Sequence, residues 1–183
     1  MPNTPKWIED VLKFWFDETP ARAWFMRDEA LDAEIRRRFG ALHASLIEKV
    51  PANVTTTPHG ALATVIVLDQ FSRNLYRNSP RAFSADSTAL AIAEEAIAAG
   101  FDRELNPTQR VFLYMPFQHS EERQVQARSV ELFSQLGDAN SLDYARQHRD
   151  IIERFGRFPH RNRTLGREST AVEVEFLKTH PGF

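Results

Sequence analysis

The residues best suited to chemistry lie in one short segment, residues 155–170, with the sequence FGRFPHRNRTLGREST. The segment contains an imidazole, His160, and a side-chain amide, Asn162, together with four guanidinium groups. The four are Arg157, Arg161, Arg163 and Arg167. Two glycines and a proline oppose a regular helix here, and Phe155 and Phe158 are apolar anchors that would hold the loop in place. An anchored loop of this kind predicts a site for a phosphate or carboxylate group.

These arginines also have a purely structural interpretation. Guanidinium groups satisfy helix C-terminal carbonyls and surface carboxylates, so their number alone does not define a ligand site. Between residues 144 and 167 seven arginines occur with only two acidic residues, whereas the whole chain has a formal net charge of −2. The positive charge is therefore local, which argues against a protein whose entire surface is made for nucleic acid.

A second imidazole, His119, directly precedes Ser120, which we interpret as the N-cap of a helix. Free N–H groups at a helix N-terminus attract anions. If the two helices after Ser120 form an antiparallel pair, the loop that carries His160 returns to the end of the bundle where His119 lies. Two imidazoles in one cavity could share general acid and base catalysis, so His119 and His160 are our candidate catalytic residues. The alternative, in which each histidine is hydrogen-bonded to a backbone carbonyl, fits the sequence equally well.

Other polar residues complete the candidate ligand-binding set. Asp69 and Arg73 share one helical face in an apolar stretch, where they are either ligand residues or a partly buried structural ion pair. Glu122 follows His119 at helical spacing, but the Glu-x-x-His pattern of carboxylate-bridged metal sites is absent, and we expect no metal. The full set of ligand-binding candidates is Asp69, Arg73, Glu122, His148, Arg157, Arg161 and Asn162.

Length and composition indicate one soluble domain over residues 1–183. The chain has no cysteine, which excludes disulfides, thiolate zinc sites and thiol nucleophiles. Its longest apolar run, residues 61–68, is far shorter than the ~20 residues that span a bilayer. We therefore expect no membrane association, a cytoplasmic location and no cofactor.

Apolar periodicity predicts eight helices and no strand. Residues 61–68 are apolar on every side, so the third helix should be central in the domain. We expect Ser84 or Asp86 to cap the fourth helix and Pro116 to end the fifth. Asn106–Gln109 and Thr170–Glu173 have the form of capping boxes. The predicted helices span residues 5–16, with Thr4 and Pro5 at the start, and residues 28–49, 60–76, 84–99, 107–115, 120–136, 141–155 and 170–179.

Several segments together resemble the bacterial domain-of-unknown-function family numbered 924. They are Trp24-Phe25, LDQFSRNLYR at 68–77, YMPFQHSE at 114–121, RFGRFPHRN at 154–162 and LGREST at 165–170. The resemblance covers nearly the whole chain and departs at Ala171, where a proline would be expected. It implies an all-α fold of antiparallel helix pairs similar to a tetratricopeptide-repeat superhelix. It brings no established activity, cofactor or catalytic residue, so whether the chain is an enzyme stays open.

Three functions are consistent with the sequence. The first is binding, with or without turnover, of a small anion in a cleft lined by the candidate histidines and arginines. The second is a helical protein-interaction module with a groove of exposed aromatics, for which Trp24, Phe25 and Tyr76 are candidates. The third is RNA binding through the arginine and phenylalanine stretch, which requires accessible aromatic faces. We favour the first, because the polar residues gather at helix starts and in an anchored loop.

Overall fold

The computed structural model describes residues 4–183, and in this range the chain is all-helical with no strand. When contiguous helical pieces are counted together, the described residues form eight helices, as the sequence predicts. They are α1 (Lys6–Lys13, continued by the π-helical turn Phe14–Glu18), α2 (Glu29–Glu48), α3 (Pro58–Val65, the π-helical segment Ile66–Phe71 and Ser72–Leu75), α4 (Asp86–Ala98), α5 (Pro107–His119), α6 (Arg123–Ser134), α7 (Ala139–Phe155) and α8 (Ala171–Leu177). Short 3₁₀ turns occur in the connections, including Pro159–Arg161 between α7 and α8.

The described chain groups into two compact units. The first contains the residues up to Arg77 together with Arg81–Pro116, and the second contains Asn78–Pro80 and Phe117–Phe183. The chain passes from the first to the second within α5, between Pro116 and Phe117. The single domain over residues 1–183 stays a prediction.

The first unit is built around α3, whose residues from Gly60 to Ser72 are all buried. Thr57 caps this helix by accepting a hydrogen bond from the backbone N–H of Gly60, and Pro58 stands at its first turn. These features confirm the predicted central helix. A π-helical segment within it was not predicted. Its wider i→i+5 hydrogen bonding changes which residues share a face, and this change cannot be detected where every face is apolar.

Several predicted helix boundaries are confirmed in atomic detail. Asn106 and Gln109 exchange two hydrogen bonds of 3.0 and 3.1 Å, and Thr170 and Glu173 form the second capping box. Gly100 takes a left-handed conformation, with φ 78°, directly after α4. Local side-chain chemistry sets these boundaries, which is why the sequence predicts them.

Other boundaries were predicted wrongly. Pro5, rather than Thr4, is the N-cap of α1, with no side-chain hydrogen bond. The fourth helix begins without a side-chain cap, because Ser84 donates to the carbonyl of Arg81 and the carboxylate of Asp86 binds Arg73.

The fifth helix does not end at Pro116 but continues to His119. A proline inside a helix removes one backbone hydrogen bond and costs about 3 kcal/mol. The residues on both sides of it, 112–115 and 117–118, are all buried. Packing of this length of helix outweighs the local cost, so a rule based on proline alone gave the wrong end point.

The second unit contains α6 and α7, which pack against each other and are joined by the short connection 135–138. Gly137 takes a left-handed conformation in this turn, and the shortness of the connection makes the two helices an antiparallel pair. Gly156, with φ 70°, ends α7, and residues 157–170 then form the arginine-bearing loop. Ile151, Ile152 and Phe158 form a buried cluster beneath this loop.

Residues 4–183 include no helix that is both long and apolar enough to cross a membrane.

Candidate functional site

Glu121 is the acid that holds the arginine-bearing loop in place. Its two carboxylate oxygens accept hydrogen bonds of 2.7 and 2.9 Å from the guanidinium of Arg167. The same carboxylate accepts the backbone N–H of Phe158 at 2.7 Å. Burial opposes the charged form of Glu121, but the hydrogen bonds from Arg167 and Phe158 outweigh it and lower its pKa.

Asn162, a predicted ligand residue, is part of this same hydrogen-bond network. Its side-chain oxygen accepts from Arg167 at 2.9 Å, and its amide nitrogen donates to Ser169 at 3.1 Å. Asn162 is only 1% exposed. The geometry therefore gives it a role in fixing the shape of the loop.

Arg157, another predicted ligand residue, forms a two-pronged ion pair with Glu173. The two hydrogen bonds measure 2.7 and 2.8 Å, and a further one at 2.8 Å reaches the carbonyl of Glu168. The hydrogen bond from Arg157 is the main cause that lowers the pKa of Glu173 to about 2. The charge of Arg157 is thus compensated inside the protein.

Three histidines come together in the second unit, and we call His119, His148 and His160 the histidine cluster. They come from three different elements: the last residue of α5, the middle of α7 and the 3₁₀ turn at Pro159–Arg161. The ring centroids of His119 and His148 are 6.4 Å apart. The charges of His119 and His160 both act on His148, and that of His119 also acts on His160.

The position of His119 on its helix differs from the prediction. Ser120 is not an N-cap, since α6 begins at Arg123 with Glu122 as the N-cap residue. His119 instead ends α5. A helix C-terminus carries partial negative charge, so the expected attraction of an anion by helix N–H groups beside His119 is wrong. The error follows from the wrong end assigned to the fifth helix at Pro116.

Aromatic rings surround the histidine cluster. Phe158 lies 5.6 Å from the ring of His148 and 5.5 Å from that of His160, measured between centroids. Phe183 stacks on His148 at 3.7 Å and meets His160 edge to face at 6.0 Å. Gly182 approaches the His160 ring so closely that an added Cβ would lie 3.3 Å from it. Contact with these apolar groups removes water from the imidazoles.

His148, which is buried, and His160, which is partly buried, are both neutral at neutral pH. Burial lowers the pKa of His148 to about 3, and the positive charges of His119, Arg161 and His160 add to this effect. Burial also lowers the pKa of His160 to about 4, with Arg161 as the largest electrostatic contributor. Arg161 is itself 7% exposed, with its guanidinium carbon 4.6 Å from the Phe158 ring centroid. Burial is therefore the main reason why His148 and His160 bind protons weakly.

The hydrogen bonding of His148 specifies which of its nitrogens carries hydrogen. Its Nδ1 lies 2.7 Å from the carbonyl oxygen of Tyr144. A carbonyl oxygen only accepts, so Nδ1 is the donor and Nε2 is the basic nitrogen of the neutral ring. His148 is therefore hydrogen-bonded to a backbone carbonyl, an alternative that the sequence analysis raised for His119 and His160.

Asp69 and Arg73 form a separate ion-pair cluster in the first unit. The guanidinium of Arg73 lies 3.2 Å from Asp69 and binds both carboxylate oxygens of Asp86 at 2.9 and 3.0 Å. Asp69 is 0% exposed and also accepts a hydrogen bond of 2.6 Å from Gln70. This cluster ties α3 to the start of α4. A ligand role for either residue stays a prediction.

Glu122, the remaining candidate, is exposed, and its side chain makes no capping hydrogen bond. Sequence reasoning chose it over the adjacent Glu121, which is the residue that binds the loop. Phe183 and Gly182 were also missed, because no sequence motif indicates that these two residues contact histidines. Among residues 4–183, no group of three or more His, Cys, Asp or Glu side chains is arranged to hold a metal ion.

The aromatic candidates for the two alternative functions have different environments. Phe25 is 67% exposed, whereas Trp24 is partly buried against Phe112, with ring centroids 5.0 Å apart. Tyr76 is partly buried and covered by the guanidinium of Arg81, 4.0 Å above its ring. Phe158 is 0% exposed and offers no face on which an RNA base could stack.

Comparisons with known proteins agree with this all-helical architecture. Residues 11–181 match the family model described as a bacterial protein of unknown function, DUF924, a match that stops just before Gly182 and Phe183. A solved structure of a protein of unknown function, ATU0120 from Agrobacterium tumefaciens, is 36% identical in sequence and superposes with a TM-score of 0.92. The similarity covers 97% of this chain and 100% of that one. No curated protein matches the sequence. The chain belongs to the DUF924 family of bacterial proteins.

Proposed function

We propose that this protein binds a small anion bearing a phosphate or carboxylate group at the histidine cluster. The observation that carries the proposal is the convergence of His119, His148 and His160 beside Arg161. Glu121, an acid whose charge acts on His160, binds Arg167. An anion would complement the protonated forms of these imidazoles.

The low pKa values of His148 and His160 indicate that anion binding would be coupled to proton uptake. Burial and neighbouring positive charges hold His148 and His160 in the neutral form. An anion beside these rings reverses the electrostatic part of this effect, so it raises both pKa values and promotes proton uptake. The basic Nε2 of His148 is the atom that would gain a proton and donate it to the anion.

The sign of the pH dependence follows from this coupling. The free cluster has pKa values of about 3 and about 4, and the anion complex has higher ones. Affinity should therefore rise as pH falls through the pKa values of the complex, by up to about tenfold per pH unit for each coupled proton. It should level off below the pKa values of the free protein.

Catalysis by His119 and His160 is a further step of the same proposal. At neutral pH, free His160 is a weak base and is rarely protonated, because its pKa lies near 4. A bound anion that raises this pKa toward neutrality would bring the imidazole into the range suited to general acid and base work. The substrate-bound form is therefore the one to test for turnover.

Isothermal titration calorimetry tests the binding proposal, with inorganic phosphate and citrate as probes. Each titration is run in two buffers of different ionisation enthalpy, so that proton uptake appears as a difference in heat. We expect binding of at least one probe with proton uptake, and weakening by about tenfold in His160→Gln. His59→Gln, which changes an exposed histidine of the first unit, is the control and should bind as the unaltered protein does. No heat with either probe at millimolar concentration, or equal affinity in both variants, would contradict the proposal.

The tetratricopeptide-like stacking of helix pairs and the cytoplasmic location stay predictions. The antiparallel pair formed by α6 and α7 supports the first of them. The protein-interaction alternative also stays a prediction, and Phe25 is the aromatic candidate that is largely exposed.

A further inference from the structure

An open surface cavity of about 520 Å³ lies in the second unit between the end of α7 and the start of α8. Its volume is within the range of small-molecule sites, which is about 300–1,000 Å³. None of the three clustered histidines lines it. The lining residues are Arg154, Phe155, Arg157, Thr170, Val172 and Glu173.

The charged groups around this cavity differ in whether they have an ion-pair partner. Arg157 and Glu173 compensate each other through two hydrogen bonds. Arg154 makes no ion pair within residues 4–183, and the neighbouring acid on its helix, Glu153, lies 3.7 Å from Arg149. Arg154 is therefore the uncompensated positive charge of the cavity.

Arg154 is exposed, and its guanidinium lies over two aromatic rings. Its guanidinium carbon lies 4.7 Å from the centroid of the Phe155 ring and 5.5 Å from that of Phe176. The two phenylalanine rings are themselves in contact, with centroids 4.9 Å apart. Stacking on aromatic faces fixes a guanidinium while leaving its N–H donors available to a ligand. Little conformational entropy would then be lost when a carboxylate binds.

The rest of the cavity determines what kind of ligand fits. The N-terminus of α8 is already satisfied, because Thr170 and Glu173 form a capping box there. A ligand charge would therefore have to pair with Arg154. Phe155 and Val172 add apolar surface, and Val172 is 56% exposed. The combination of one fixed cation with adjacent apolar side chains suits a ligand that carries both a carboxylate and an apolar group.

We propose that this cavity binds a small amphipathic carboxylate, with its carboxylate on Arg154 and its apolar part against Phe155 and Val172. The site is distinct from the histidine cluster and does not depend on it. Its expected ligands are aromatic or branched aliphatic acids rather than inorganic anions, because the latter leave the apolar surface exposed to water.

Nuclear magnetic resonance titration with 3-phenylpropanoate tests the proposal. We expect the largest amide shifts at Phe155 and Val172. The matched amide, 3-phenylpropanamide, should bind about tenfold more weakly because it lacks the charge, and acetate should bind more weakly because it lacks the ring. Shifts confined to other parts of the chain, or equal shifts with the acid and its amide, would overturn the proposal.

Two variants separate the contributions. Arg154→Gln should weaken 3-phenylpropanoate binding by about tenfold, and Val172→Ser should weaken it by a smaller factor through lost apolar contact. Arg146→Gln, at an exposed position on the same helix that does not line the cavity, is the matched control and should leave binding unchanged. The amide shifts of Phe155 and Val172 report on this cavity, which no clustered histidine lines, so their absence is distinguishable from failure of the histidine-cluster proposal. Unaltered affinity in Arg154→Gln would overturn the assignment of the cation.

Discussion

Glu121 and Glu122 are adjacent in the sequence but have different structural roles. Glu121 receives three hydrogen bonds, two from Arg167 and one from the backbone of Phe158. Glu122 is exposed and takes part in capping α6 through its backbone position only. The two are chemically identical in the sequence, and only the exact start of α6 decides which carboxylate faces the loop. Residue type therefore predicted an acid near His119 but not which acid.

Replacing Glu121 with glutamine should destabilise the protein by about 2 kcal/mol, because it removes a charge-assisted pair of hydrogen bonds with Arg167. Glu122→Gln is the matched control and should change the free energy of unfolding by less than about 0.5 kcal/mol. Urea unfolding followed by circular dichroism gives both values. Equal effects of the two substitutions would mean that Glu121 does not hold the loop.

At the scale of elements, helix ends were predictable where a few neighbouring residues determine them. The capping boxes at Asn106 and Thr170 and the glycine stops at residues 100 and 156 are local in this sense. The course of α5 was not predictable from local rules, because burial of residues 112–118 carries the helix through Pro116. That single error also displaced the predicted start of the next helix and the role given to His119.

Two glycine substitutions test the helix boundaries directly. Gly156 ends α7 with φ 70°, so Gly156→Ala should destabilise the protein by about 1 kcal/mol through backbone strain alone, since an added Cβ meets no atom within 4 Å. Gly40 lies inside α2, and an added Cβ there also meets nothing within 4 Å. Gly40→Ala should therefore stabilise the protein by about 0.5–1 kcal/mol. Opposite shifts of the thermal unfolding midpoint are expected, and shifts of the same sign would contradict these conformations.

For the whole molecule, composition and periodicity were enough to predict an all-helical chain with a fully apolar central helix. They did not predict the grouping into two units, because the chain passes between the units inside the continuous helix α5. No proline- or glycine-rich linker marks this point. The proximity of His119 to the loop after α7 was predictable, since it requires only that α6 and α7 pair antiparallel.

The aromatic enclosure of the histidines was not predictable in the same way. Phe183 follows the last helix by several residues, and its stacking on His148 depends on the path of a segment without regular structure. This enclosure sets the low pKa values on which the proposed anion binding relies. The pKa values of the clustered histidines therefore depend on tertiary packing, which the sequence pattern does not show.

The most direct test of the account is a pH titration of the imidazole resonances of His148 and His160 with and without inorganic phosphate. Without phosphate, we expect pKa values of about 3 and about 4. With phosphate, both should rise. Values near 6.5 for both histidines in the free protein, or no change on adding phosphate, would contradict the claim that His148 and His160 are desolvated and bind anions.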